Sequence, residues 1–222
     1  MATQTDLSAK PRTPLSRERV LRAALALADV EGIGSLTMRR LGQELGVEAM
    51  SLYNHVADKG DLLDGIVDLV FGEIAVPSDQ ADWKAAMRLR AISAHEALLR
   101  HPWASNLMQS RTKPGPATLR HHDSVIGTLR DAGFTVEMAA HAFSVIDSYI
   151  YGFGRQQLNM SSRRDIKPEE MAEAFLRAIP ADEYPYLREM VVEYAMNSGH
   201  DESADFEFGL NLILDGLQTL LD

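Results

Sequence analysis

The sequence predicts an all-α fold in which a small helical head is followed by a larger helical body. Apolar residues recur at steps of three and four along nearly the whole chain. No stretch alternates with the period of two that a half-buried strand requires. Capping residues and glycines also divide the first stretch of about 60 residues into four short helices. Composition permits such a fold, since 222 residues with 45% hydrophobic and 24% charged side chains fit one or two domains with sizeable cores. The chain has no cysteine, which excludes disulfide frameworks, thiolate metal sites and thiol nucleophiles. No apolar run approaches the ~20 residues that cross a bilayer. The first turns of chain carry Lys10, Arg12, Arg17 and Arg19 with none of the apolar core of a signal peptide. A cytoplasmic protein with no membrane partner is therefore expected.

Residues 1–15, rich in Thr, Ser, Pro and Lys, have no apolar periodicity and read as a flexible basic arm. Ser16 is suited to cap the first helix, whose Val20, Leu21, Ala24, Leu25, Leu27 and Ala28 repeat at helical spacing until Gly32 and Gly34. Thr37 caps a second helix, Met38 to Leu45, and Gly46 supplies the left-handed residue that ends it. Only Val47 and Glu48 separate this helix from a third, Ala49 to His55. Asp58, with Asp61 three residues on, opens a fourth that carries Leu62, Leu63, Ile66, Val67 and Val70. Longer helices are expected over 80–100, 114–131, 136–158, 168–179, 183–197 and 203–221, with a connecting loop from Asn159 to Pro168. The last helix shows one apolar stripe through Phe206, Leu210, Ile213, Leu214, Leu217, Leu220 and Leu221.

Two short helices joined by a glycine turn have the spacing of a helix-turn-helix, in which the first helix braces the backbone and the second enters the major groove. The third helix leaves only Leu52 and Val56 for a core, so its other side chains either form an exposed polar face or meet a partner. Tyr and His donate to phosphate, Asn binds adenine through two hydrogen bonds, and Ala and Met lie against a thymine methyl. The net charge of -10 is unevenly spread. Residues 1–60 hold 8 Lys+Arg against 7 Asp+Glu, a net charge of +1, whereas residues 61–222 hold 14 against 25, a net charge of -11. A local basic surface can thus meet phosphate while the acidic remainder stays clear of it.

The segment LTMRRLGQELGVEAMSLYNHVADKGDLLDGIVD, residues 36–68, closely resembles the DNA-binding domain of the TetR family of bacterial transcriptional repressors. Leu52, Tyr53 and His55 match the family's Leu-Tyr-x-His, and Lys59 follows that His by four residues. Residues 206–221 are similar to the last helix of the tetracycline-repressor branch. By position, the resemblance implies that Met38, Arg39, Ala49, Met50, Tyr53, Asn54, His55 and Lys59 contact double-stranded operator DNA. That branch carries larger groups where Ala49 and Asn54 stand, so its operator is not implied. The expected division is a basic arm over 1–15, a three-helix DNA-binding domain over 16–62, and a helical effector-binding and dimerisation domain over 63–222. The implied function is a homodimeric repressor released from DNA by a small-molecule effector.

Aligned from Gly133 and Phe134, the branch's two magnesium ligands fall on Gln109 and Gln156, and amides are poor Mg²⁺ ligands. No metal and no cofactor are therefore expected. The same register directs Arg90 and Ser148 towards the effector, with Arg90 either ligand-facing or salt-bridged. His95 and His141 either reach the pocket or serve as hydrogen-bonded structural residues. His121 and His122 are adjacent, point about 100° apart on a helix and are expected at the surface. No Ser/His/Asp arrangement, phosphate loop or HExxH motif supports an enzyme. In the 136–158 helix, Ser144, Ser148 and Gly152 form a row of small residues that allows close helix approach. Together with the tail helix, this row predicts an isologous four-helix dimer interface.

Overall fold

The computed structural model describes residues 14–76, 82–110, 113–161, 168–180, 183–195 and 202–221; it is helical throughout, with no strand among the described residues. Most of the expected arm, residues 1–13, lies outside the described residues. Leu15 packs against the core.

The head consists of α1 (Arg17–Glu31), α2 (Met38–Leu45), α3 (Ala49–Leu52) and α4 (Lys59–Glu73). Its boundaries are set by caps. Ser16 Oγ accepts from the Arg19 amide at 3.2 Å, Thr37 Oγ1 from the Arg40 amide at 3.1 Å and Asp58 Oδ1 from the Asp61 amide at 2.8 Å. Gly46 ends α2 in the left-handed region at φ 67, and the Val47 amide reaches back to the Gly42 carbonyl at 2.9 Å. Gly42 is needed for another reason: a Cβ there would lie 2.9 Å from the Val47 carbonyl oxygen and 3.2 Å from the Ala49 amide nitrogen. The turn between α2 and α3 closes only because that side chain is missing.

The third helix is shorter than the expected Ala49–His55. Its α-helical part stops at Leu52, and the amides of Tyr53, Asn54 and His55 bond to the carbonyls three residues earlier, tightening the chain into a 3₁₀-like turn. Leu52 and Val56 are buried as expected, so the tighter winding leaves the anchors in place.

The body comprises α5 (Trp83–Arg100), α6 (Ala104–Ser110), α7 (Pro116–Asp131), α8 (Val136–Ser161), α9 (Pro168–Ala178), α10 (Pro185–Met190) and α11 (Glu202–Gln218), and a five-residue π-helical turn, Val191–Ala195, continues α10. Helix α6 was not expected. The α5 chain breaks at His101, whose ring is held between Asp29 Oδ1 at 2.8 Å and Glu73 Oε2 at 3.2 Å. Helix α8 runs on through Ser161, so the start of the expected 159–168 loop is helical; residues 162–167 lie outside the described residues.

Helix α5 packs on α8, α7 lies between α4 and α8, and α11 covers α5 and α8. Of the tail stripe, Phe206, Leu210 and Leu214 are buried within the subunit and Ile213, Leu217 and Leu221 pack against the core, whereas Leu220 is exposed; Phe208 and Leu212, outside the stripe, are 69% and 59% exposed. Two polar joints tie head to body. Asp68 of α4 accepts from the Thr118 amide at 2.8 Å and the Thr118 hydroxyl at 2.9 Å, and so caps α7 from another helix. The His101 joint also takes in Trp103, whose Nε1 donates to Asp29 at 2.7 Å. One contiguous apolar core runs through both parts, from Val20 to Leu214.

Candidate functional site

The polar groups of the helix-turn-helix fall into two sets. Arg17 and Arg40 are engaged in the scaffold: Arg40 pairs with Glu44 within α2 at 3.1 Å and with Glu31 at 2.5 Å, and the Glu31 pair fixes α2 against α1. Arg39, on the adjacent face, is exposed, as are Asn54 and Lys59. Met50 is 74% exposed and Tyr53 43%. Met38, Ala49 and His55 are partly covered, and Met38 packs against the core. Lys59 opens α4, so its ammonium stands beside a helix N-terminus that itself favours anions.

A carboxylate read from sequence only as part of a capping pair, Asp61, holds this surface in place. Arg17 binds both oxygens of Asp61, at 2.6 and 2.7 Å, and its Nη1 also donates to the His55 carbonyl at 3.0 Å. Asp61 additionally accepts from the Ala57 amide at 2.8 Å. With the Asp58 cap, Asp61 thus ties the residue before the cap to the first turn of α4. The Arg17 hydrogen bond is the largest influence that holds the Asp61 carboxyl down to about 2, against a smaller opposing effect of burial. Its sequence signal was Asp58 and Asp61 at capping spacing; the partner from α1 gave none.

In the body, the candidate effector residues do not meet in one cavity. Gln109 and Ser148 line an open cleft of about 190 Å³ between α6 and α8, together with Ser105, Asn106, Tyr151, Gly152 and Arg155. Gln156 is exposed and does not line that cleft. His95 is buried, stacked on Phe206 with ring centroids 4.1 Å apart, and bonds to Gln157 Oε1 at 2.8 Å. Arg90 is 2% exposed and pairs with Asp147 of α8 at 2.5 Å.

The surface expectation for His121 is corrected: it is fully buried. Thr118, His121, Val125 and Leu129 recur at steps of three and four on α7 and form its inward stripe, a signal present in the sequence. Arg90 Nε donates to His121 Nε2 at 3.1 Å. An arginine cannot accept, so His121 carries its single proton on Nδ1. Burial, reinforced by the Arg90 charge, pushes its protonation down to about 3. Arg90 Nη1 and His121 Nδ1 are both buried without a hydrogen-bond partner among the described residues. Around them, Phe71 lies 5.5 Å from the His121 ring, His122 lies 5.4 Å from Phe143, and the Arg90 guanidinium lies 5.8 Å from the centre of Phe143.

A capped, glycine-closed helix-turn-helix with an exposed cationic and amide face, carried on a helical body with an interior polar node, defines a helix-turn-helix DNA-binding regulator. A family model described as bacterial regulatory proteins of the tetR family matches residues 20–66, and one described as the tetracyclin repressor-like C-terminal domain matches residues 76–221. The chain belongs to the TetR family and is a ligand-responsive, DNA-binding repressor rather than an enzyme, whose partners are operator DNA, a small molecule and a second copy. It is 34% identical over 216 residues to the HTH-type transcriptional repressor DrrR1 of Streptomyces coeruleorubidus, covering 95% of this chain and 80% of that one. It is 29% identical to the class C tetracycline repressor protein of Escherichia coli, covering 93% and 92%. The structure matches the TetR family protein ActR of Streptomyces coelicolor in complex with (S)-DNPA at a TM-score of 0.78 and 28% identity, covering 93% of this chain and 98% of ActR. ActR in complex with actinorhodin matches at 0.77, also at 28% identity, with 94% and 99% covered. No helix among the described residues is long and apolar enough to cross a membrane.

Proposed function

We propose that the operator is read by the segment from Met38 to Lys59, within a DNA-binding domain spanning 16–62, and that the remaining helices, 63–222, sense the effector and dimerise. Arg39 and Lys59 meet phosphates, Met50, Tyr53 and Asn54 face base edges, and Met38, Ala49 and His55 support both ends of the reading segment. The observation that carries this assignment is the division of the arginines. Arg17 and Arg40 are consumed by Asp61, Glu31 and Glu44, while Arg39, Tyr53, Asn54 and Lys59 stand exposed over the same segment.

Effector binding in the body shifts the separation of the paired heads. The connection runs through α4, which carries Lys59 at one end and Asp68 and Glu73, the two joints to the body, towards the other. A coupling of ~1–3 kcal/mol is typical of such regulators. The dimer forms between α8 and α11 of two copies. Val145, Ser148 and Gly152 are exposed on α8, Phe208 and Leu212 on α11, and open space surrounds Gly152 and Gly216. The repressor works in the cytoplasm, where its operator lies.

Electrophoretic mobility and footprinting with the DNA upstream of the chain's own coding sequence test the assignment. A shift that disappears in the Tyr53→Ala, Asn54→Ala double variant is expected. A footprint unchanged in position and strength would sink it.

A further inference from the structure

The joint between head and body at the α5–α6 corner is complete only when one side chain carries a proton. His101 ends α5, its amide bonded to the Ala97 carbonyl, and its own carbonyl accepts from the Ala104 amide at 2.8 Å, so this residue sets the break between α5 and α6. Its ring is buried, with Nδ1 2.8 Å from Asp29 Oδ1 of α1 and Nε2 3.2 Å from Glu73 Oε2 of α4. Carboxylate oxygens accept, so filling both contacts requires a proton on each ring nitrogen, which is the imidazolium form. The charges agree. Asp29 of α1 and Glu73 of α4 face the ring, Arg100 of α5 donates to Glu73 at 2.9 Å, and Trp103 Nε1 donates to Asp29 at 2.7 Å. With His101 charged, two cations meet two anions; with His101 neutral, one partly buried carboxylate is left in excess. Burial pushes the Glu73 carboxyl up, but hydrogen bonds from Arg100 and His101 outweigh it and hold the group below its ordinary range, which keeps it an acceptor.

Loss of the proton acts in one direction. Asp29 is the nearer acceptor, so the remaining proton stays on Nδ1 and the departing one leaves Nε2 for water. The Nε2 lone pair then faces the Glu73 oxygen, and the ring lets go of α4 while keeping α1. Helix α4 carries Lys59 at its other end.

We propose that His101 is a proton-operated latch, which when protonated holds α4 against the body in the operator-binding arrangement and when neutral frees the end of α4 and weakens operator binding. This rests on the proposed transmission between body and head through α4. Operator affinity therefore falls as pH rises through the range in which histidines titrate.

The test measures operator binding by the full chain, at fixed salt, from about pH 5 to about pH 9, beside the variants His101→Gln and Glu73→Gln. His101→Gln has no proton to lose, and the amide introduced by Glu73→Gln donates to a neutral ring, so both should flatten the profile. The affinity of the unaltered chain should fall about ten-fold more than that of either variant, within the ~5–150-fold range of allosteric couplings. His55, in the reading segment, is common to all three chains and cancels from the difference. Two-bond nitrogen–proton NMR correlation on isotope-labelled histidine reads the ring directly: both nitrogens of His101 should carry protons at the low end of the series and Nδ1 alone at the high end. If neither variant folds, these spectra of the unaltered chain and its own binding profile decide.

A ring nitrogen without a proton at the low end, parallel profiles in the three chains, or an affinity that rises with pH relative to the variants each overturns the latch. With operator binding intact at low pH, those failures leave the regulator reading standing. Absence of operator binding at every pH overturns that reading and the latch with it.

Discussion

Arg17 of α1 holds Asp61 of α4 through two hydrogen bonds while also donating to the carbonyl of His55, so one guanidinium ties together the first helix, the end of the proposed reading segment and the start of the fourth helix. Both side chains are partly in water, and an exposed pair of this kind contributes ~0.2–1 kcal/mol to stability. Its larger effect is positional, because Tyr53 and Asn54 lie between Leu52, which is buried, and the His55 carbonyl, which Arg17 holds.

The pair should show itself in acid. The Asp61 carboxyl is lowered in the folded state to about 2, so its contribution is fully present above the ordinary carboxylate value near 4 and is lost as pH falls through about 2. Asp61→Asn should lower stability by ~0.5–1 kcal/mol at neutral pH. The difference from the unaltered chain should shrink between about pH 4 and pH 2. Urea unfolding at a series of pH values checks this; a difference that stays constant across the window contradicts it.

Lys59→Ala and Arg39→Ala should each weaken binding to specific and random DNA alike and reduce the slope of log K against log salt by about 0.9. Asn54→Ala should instead change base preference at one position, at ~1–3 kcal/mol. Quantitative footprinting at several salt concentrations separates the two behaviours.

Two glycine-to-alanine changes should have opposite signs. Gly42→Ala places a Cβ 2.9 Å from a backbone oxygen and 3.2 Å from a backbone nitrogen, neither of which can move away alone, and should cost ~1–3 kcal/mol along with operator binding. Gly127→Ala, inside α7 with nothing within 4 Å, should stabilise by ~0.5–1 kcal/mol. Thermal melts of the two variants read the contrast directly.

The two faces of α11 should respond differently to charge. Leu212→Asp, at an exposed position, should yield folded monomers that do not bind operator, whereas Leu214→Asp, at a buried one, should unfold the subunit. Gly152→Leu should also give monomers, since open space around Gly152 leaves its own subunit undisturbed. Light scattering with circular dichroism distinguishes the outcomes. Dimers of the Leu212→Asp and Gly152→Leu variants at micromolar concentration would place the interface elsewhere.

The sequence by itself determined the helical class, the caps at Ser16, Thr37 and Asp58, the left-handed Gly46 and the buried pair Leu52 and Val56. Each of these depends on contacts within a few residues or on a repeat along one helix, and such contacts are written in the spacing. It also pointed to residues 38–59 as the proposed reading segment, through the resemblance of residues 36–68 to the family's DNA-binding domain.

Tertiary structure alone decided which of the adjacent Arg39 and Arg40 is consumed by Glu31 and Glu44, and that Asp61 answers to Arg17, 44 positions earlier. It decided that the apolar tail divides between a subunit face and an outer face, since the direction of Leu212 against Leu214 depends on where α5 and α8 lie. The node of Arg90, His121 and Asp147 joins three helices whose sequence positions carry no shared pattern. A buried arginine and a surface arginine look alike until the packing of the helices shows which one water can reach.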